Sequence, residues 1–163
     1  MDFKINSVND LKKMMKYIEK NAVKGALEDT GDEATELAKD RVDKDVYGTG
    51  SPTEYVRTYE LRESIEPTKA KCKDGVVELE IKHNTDKIGS YEPNQHMSVL
   101  DGSSSVESIA EIVHDGKSGK IFGEGLWTKK RRYMDNTKEE IKNGKYKEMM
   151  KRNLEKRGIK TEW

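Results

Sequence analysis

At 163 residues, with 33% apolar and 38% charged side chains, the chain has room for one domain but little core material; a domain near this size typically buries about 68 to 70% of its unfolded surface. Thirty-one basic and thirty-one acidic residues cancel, which excludes a global field drawing the molecule toward nucleic acid or an anionic membrane. The single cysteine, Cys72, excludes an internal disulfide, and Met-Asp-Phe-Lys-Ile at the start lacks the apolar run of a signal peptide. No stretch approaches the roughly eighteen apolar residues of a membrane helix, so a cytoplasmic, non-membrane protein is expected.

Ser7 with Asp10 forms a variant capping box, and Val8, Leu11, Met15, Ile18 and Ala22 then recur at three- and four-residue steps, which predicts a helix with one apolar face. Gly25 and Thr30-Gly31 interrupt it, and Thr30 with Glu33 restarts a helix carrying Ala34, Leu37, Ala38 and Val42, so two helices or one broken helix are expected. Tyr47-Gly48-Thr49-Gly50-Ser51-Pro52-Thr53 collects turn-forming residues and reads as a loop. From Ile65, Thr68, Ala70 and Cys72 alternate with polar neighbours, and after Asp74-Gly75 the residues Val77, Leu79 and Ile81 alternate again; Asp-Gly between alternating runs signals a hairpin.

Residues 84 to 104 are polar and aperiodic, a long connection that reads as a loop ordering against partners. Ser104 with Glu107 forms a capping box before Val106, Ile109, Ala110 and Val113, whose spacing reads as a short helix, with a strand as the alternative for so apolar a run. Gly116, Gly119, Gly123 and Gly125 then punctuate turns around a short strand near 120–122. Two helices close the chain, about 136–143 and 145–157, ended by Gly144 and Gly158, with Tyr146, Met149, Met150 and Leu154 on the apolar side of the last.

Chemistry-bearing residues are sparse. His83, His96, His114 and Cys72 lack the close pairs of a structural zinc site, so no metal is expected; His83 and His96 read as solvated, and His114 as a helix end, where a cation suits the carbonyl dipole. Gly-Lys-Ser at 116–118 lacks the glycine-rich turn and strand of a phosphate loop, no Gly-x-Ser-x-Gly occurs, and neither cofactor nor enzymatic activity is expected. Glu78 and Glu80 read as a solvated strand face. Lys129-Lys130-Arg131-Arg132, bracketed by Trp127 and Tyr133, is the compact basic cluster: a charged loop or inter-subunit strip, or a grip for phosphates and bases.

The most informative stretch is Tyr55-Val-Arg-Thr-Tyr-Glu-Leu-Arg-Glu-Ser-Ile65, preceded by Ala38, Lys39, Arg41 and Val42. It resembles the pattern of the head-tail joining, or neck and tail-completion, proteins of long-tailed bacteriophages: a helix end with Ala-Lys, a short loop, then Arg-Thr-x-x-Leu-Arg-x-Ser-Ile leading into a sheet. Arg57, Thr58, Leu61, Arg62, Ser64 and Ile65 occupy the matching positions. Ile109 to Gly116 sits where the family has an apolar run ending in Glu-x-Gly, and Arg131 to Thr137 resembles its Arg-Pro-Phe-Met segment before the last helices. The chain departs at Tyr59, where glycine is common, at Asp115 for glutamate, and at Arg132 for proline.

The resemblance, covering about 34–158, implies an α+β fold: a long N-terminal helical element on a small, mostly antiparallel sheet, with C-terminal helices. It implies subunits assembling into a ring, commonly a hexamer, in the virion between head-side connector or portal-adaptor proteins and the tail terminator or tail tube, with DNA passing through the channel unread. Such a chain would reside in the host cytoplasm before assembly. Tail termination is the nearest competitor; a DNA-binding module using 127–133 and a small hydrolase gathering His83 or His114 with carboxylates are rivals of other classes. Tyr55, Arg57, Tyr59, Arg62, Trp127, Lys129, Lys130, Arg131 and Arg132 are the candidate assembly residues: the arginine forks suit carboxylates on a neighbour or pin the loop to the first helices, and Leu61 and Ile65 suit the core.

Overall fold

The structure, a computed structural model, describes residues 5–49, 59–88, 110, 113–116 and 130–162. The sequence expectations for Tyr55, Arg57, His96, Trp127, Lys129, the capping box at 104–107 and the strand near 120–122 lie outside the described residues.

Helix α1 (Val8–Tyr17) starts as its sequence dictates. Ser7 Oγ accepts from the Asp10 amide at 3.2 Å and donates to Asp10 Oδ2 at 2.9 Å, while the Asn6 amide donates to the same oxygen at 3.3 Å. Asp10 thus substitutes for the usual glutamate of a capping box. The chain then widens into a π turn, π1 (Ile18–Val23), and continues as α2 (Lys24–Asp45). The expected break therefore falls at π1, ahead of both glycines, and Thr30 caps nothing: its hydroxyl donates to the Ala26 carbonyl at 2.7 Å inside the helix.

Small residues make α2 the spine of the fold, because its buried stripe of Ala26, Thr30, Gly31, Ala34, Thr35, Ala38 and Val42 lets neighbours approach closely. A Cβ on Gly25 would lie 2.8 Å from the Arg157 guanidinium carbon, and one on Gly31 would lie 2.8 Å from both Leu79 methyls. The glycines are contact notches rather than interruptions.

After the 3-10 turn Tyr47–Thr49 and the short helix α3 (Glu60–Glu63), β1 (Ile65–Pro67) pairs antiparallel with β4 (Ile81–His83), and β2 (Lys71–Lys73) pairs antiparallel with β3 (Val76–Glu78). Pro67 faces Ile81 and Lys71 faces Glu78, so residues 68–70 oppose only 79–80: one hairpin bent by a one-residue bulge. The Thr68 amide donates to the Glu80 carbonyl at 2.7 Å, and the Glu80 amide returns to Thr68 Oγ1 at 3.0 Å. Asp74 and Gly75 both adopt positive φ, 52° and 77°, as the two-residue turn of a right-twisted hairpin requires. Ala70 is buried, but Cys72 is exposed, as are Lys71 and Lys73, because the outer end of the hairpin extends beyond the core.

Helix α4 (Tyr133–Glu140) begins earlier than expected, passes through a π turn at Ile141–Lys145 and kinks at Gly144, whose φ is 117°, before α5 (Tyr146–Lys156). The Gly158 amide donates to the Glu155 carbonyl and the Ile159 amide to the Leu154 carbonyl, the paired bonds that close a helix through a left-handed glycine. Ile159 then folds back on Ala26, Met150 and Leu154.

The main core joins Ala38, Val42 and Val46 of the α2 end with Leu61, Ile65, Ile88, Ala110, Val113 and Tyr133. Ala110 and residues 113–115 are helical, with Ala110 and Val113 buried. The architecture is α+β, a long N-terminal helical element over a small antiparallel strand set with C-terminal helices alongside. Among the described residues no helix is long and apolar enough to cross a membrane.

Candidate functional site

The segment from Tyr59 to Ile65 connects the spine helix to the hairpin, and each of its side chains has a distinct task. Tyr59 caps α3 in the left-handed region at φ 60°, the conformation glycine adopts without cost, and its ring meets Tyr47 edge-on with centroids 4.9 Å apart. Leu61 and Ile65 enter the core, as expected. Arg62 Nε donates to Asp43 Oδ2 of α2 at 3.0 Å and the guanidinium also pairs with Glu63. Those carboxylates raise its pKa against the opposing effect of burial. Arg62 thus pins the segment to α2 within the subunit.

Arg41, two residues before Asp43 on α2, reaches Glu140 Oε2 through Nε and Nη2 at 3.0 and 2.6 Å. Lys145 also pairs with Glu140, and these hydrogen bonds, Lys145 first, hold the carboxyl below its ordinary range. Asp43 and Arg41 are therefore the anchor points by which α2 holds the motif and α4.

Beneath the motif lies an internal relay. Ser64, fully buried, donates to the Leu61 carbonyl at 2.8 Å, so its oxygen accepts from His83 Nδ1 at 2.7 Å, and His83 Nε2 in turn accepts from the Tyr133 hydroxyl at 2.9 Å. This proton assignment leaves each member of the chain partnered with a neutral imidazole. Burial first, then the nearby His114, lowers the His83 pKa to about 4, and burial pushes Tyr133 up. His83 is thus a packed, neutral bridge rather than the solvated residue expected from sequence. The two-residue period of 77, 79 and 81 extends to 83 and carried that information.

Tyr133 is sandwiched between His83 and His114, ring centroids 5.8 and 5.6 Å away and near perpendicular. His114 Nδ1 lies 3.2 Å from Asp115 Oδ1, and its Nε2 lies 3.7 Å from Asp135 Oδ2. The Arg131 amide donates to the His114 carbonyl at 3.0 Å. The serine hydroxyl in this cluster is committed to a backbone carbonyl, and among the described residues no group of three metal-ligating side chains occurs. An open groove of about 440 Å³ lined by Glu155, Gly158, Lys160, Thr161 and Glu162 lies at the other end of the chain.

The described members of the basic segment point different ways. Arg131 is half-buried and donates through Nη1 to the Asp45 carbonyl at 3.3 Å, at the negative end of α2. Arg132 pairs with Asp135 one turn on at 3.0 Å, and Lys130 is exposed. Asn136 completes the attachment by donating to Asp45 Oδ2 at 2.8 Å. The structure thus brings Arg131 to α2 and leaves Lys130 and Arg132 outside, while Tyr59 and Arg62 lie together near the α2 end.

A second surface is α1 itself. No α1 residue is buried; Val8, Leu11 and Met15 are 69%, 40% and 59% exposed, and Lys12, Lys13 and Lys16 are exposed beside them. Its only substantial packing among the described elements is against π1. Sequence periodicity found this apolar stripe but does not say whether a stripe faces its own chain or another.

No curated protein and no solved structure matches the chain. Residues 7–156 match the profile of the YomN family, a Bacillus phage-derived family name that points to a phage-associated protein. With the match running from the N-cap of α1 to the last residue of α5, the chain belongs to the YomN family.

Proposed function

We propose that the chain is a structural virion protein that forms a ring, of hexameric type, at the head-tail junction of a long-tailed phage, completing the neck. The observation that carries this reading is the Tyr59–Ile65 junction. Of the residues matching the neck-protein pattern, Leu61 and Ile65 are core, Arg62 grips α2 and Ser64 anchors the relay, together a strapped connection. Tyr59 holds a positive φ, a conformation that glycine adopts freely, at the position where glycine is common in that pattern.

The uncovered apolar face of α1 supports assembly, because an exposed stripe of this kind marks a contact surface. In this reading the ring offers one face to head-side connector proteins and the other to the tail terminator or tail tube, and leaves a channel for DNA. The role is mechanical rather than enzymatic: Ser64 and His83 stabilise the scaffold. Electron microscopy of particles from a strain lacking the gene tests the proposal. Separate filled heads and finished tails are expected, and normally joined particles would remove the neck role.

A further inference from the structure

We infer that α1 is an arm that docks along the α2 ridge of a second copy of this chain, head to tail. Three observations lead to it. The arm's apolar residues Val8, Leu11 and Met15 are uncovered by their own subunit. Beside that stripe, Lys12, Lys16 and Lys20 are exposed at four-residue steps, and no described residue pairs with any of them. On the solvent side of α2, opposite its buried stripe, Asp32, Glu36 and Asp40 are also exposed at four-residue steps.

The two rows have opposite sign and equal spacing, each lysine lying twenty positions before an acidic residue (12 and 32, 16 and 36, 20 and 40). Both rows lie on one continuous helical run from Val8 to Asp45, so at about 1.5 Å per residue they are offset by about 30 Å along it. A straight run cannot bring its own rows together. A second copy displaced by that offset can, and its own arm then remains available to a third. This contact is heterologous, the kind that closes into rings when the rotation per copy is right. Asp32 and Asp40 have no described partner, and Glu36 meets only Lys39, at 2.9 Å, on its own helix. The π turn between arm and spine sets the angle at which the arm leaves, and π turns recur at functional positions in helices.

This inference rests on the ring reading and names its subunit contact. The test uses the purified full chain, with mass and oligomeric state followed by native mass spectrometry and sedimentation velocity at low and high salt. The intact protein should form multimers that weaken as salt rises. Lys12→Glu with Lys16→Glu and Lys20→Glu, or Asp32→Lys with Glu36→Lys and Asp40→Lys, should each lower the association constant by at least about tenfold, three weak surface pairs acting together. Both sets in one chain should restore assembly, and an equal mixture of the two defective variants should yield mixed multimers. In a Cys72→Ser background, Lys16→Cys with Glu36→Cys should give an oxidised ladder extending beyond dimers.

A monomer at every concentration, an unchanged mass for either triple variant, no recovery on recombining them, or cross-linking that stops at the dimer would overturn it. All the substituted side chains are exposed, and circular dichroism is to be recorded on each variant to check that it folds. If the swaps behave as stated while the deletion strain makes normally joined particles, the neck role fails and the contact stands; separate heads and tails with swap-insensitive multimers overturn the contact alone.

Discussion

Acid should unfold this protein through His83 before its carboxylates matter. Buried between Ser64 and Tyr133, folded His83 titrates at about 4 rather than 6.5, so the unfolded chain binds the proton more readily. The stabilisation from keeping the ring neutral is fully present above pH 6.5 and is lost as pH falls toward 4. A 2.5-unit difference at about 1.4 kcal/mol per unit amounts to about 3 kcal/mol in all, of which about 2 kcal/mol is gone by pH 5. His114, beside Asp115 and Asp135, adds repulsion to a charge on His83, whereas Glu66 and Glu140, whose pKa values are lowered from 4.5, keep their stabilisation until pH falls below about 4.5, after most of the His83 loss. The assay is urea unfolding by far-ultraviolet circular dichroism across the range, for the intact protein and for His83→Leu. The leucine variant should be less stable at neutral pH by about 1 kcal/mol for the lost hydrogen bonds, yet nearly flat from pH 6.5 to 4.5, so the two stability curves cross and the variant is the more stable by about 1 kcal/mol at pH 5. Parallel curves, or a His83 ring signal titrating near 6.5 by nuclear magnetic resonance, would refute the reasoning.

Tyr133→Phe leaves His83 Nε2 without its donor and should cost about 1 to 2 kcal/mol by the same denaturation assay, the core packing being retained. Tyr59→Gly relieves a left-handed tyrosine but gives up the Tyr47 ring contact; measured in a Tyr47→Ala background, it should stabilise by about 1 kcal/mol. Asn153, fully buried, donates to Thr30 Oγ1 at 3.1 Å and Glu33 Oε1 at 3.2 Å, so Asn153→Leu should cost at least about 2 kcal/mol in thermal or urea unfolding by stranding both acceptors' surroundings in an apolar site. Ile65→Ala should cost about 2 to 4 kcal/mol, while Val76→Ala at the exposed hairpin tip should change stability by less than about 0.5 kcal/mol.

How far the sequence reveals this molecule depends on whether a feature is local. Ser7 and Asp10, Asp74-Gly75, Gly144 and Gly158 each specify their own backbone geometry, and each forms the cap or turn its residue type dictates. Leu61 and Ile65 reach the core as their motif implies. Gly25 and Gly31 misled because a glycine's value there lies in what approaches it, a property of Arg157 and Leu79 far along the chain. Cys72 is exposed together with Lys71 and Lys73, because the outer end of the hairpin packs neither face on the core, which alternation alone does not reveal. His83 ends β4 as expected, but it is packed rather than solvated, because the period-two pattern of 77, 79 and 81 continues through it. For the basic cluster, adjacency in sequence conceals that Arg131 and Arg132 turn to separate partners, the Asp45 backbone carbonyl and the Asp135 carboxylate.

The two glycine notches index the spine helix along its length. Gly25 accepts the guanidinium of Arg157 and Gly31 accepts the end of Leu79, so the terminal helix and the hairpin are each keyed to a fixed station on one rod. Inserting a single residue between them would turn one station by about 100° relative to the other, and one of the two attachments would have to let go. That short interval therefore tolerates exchange of side chains far better than any change in length.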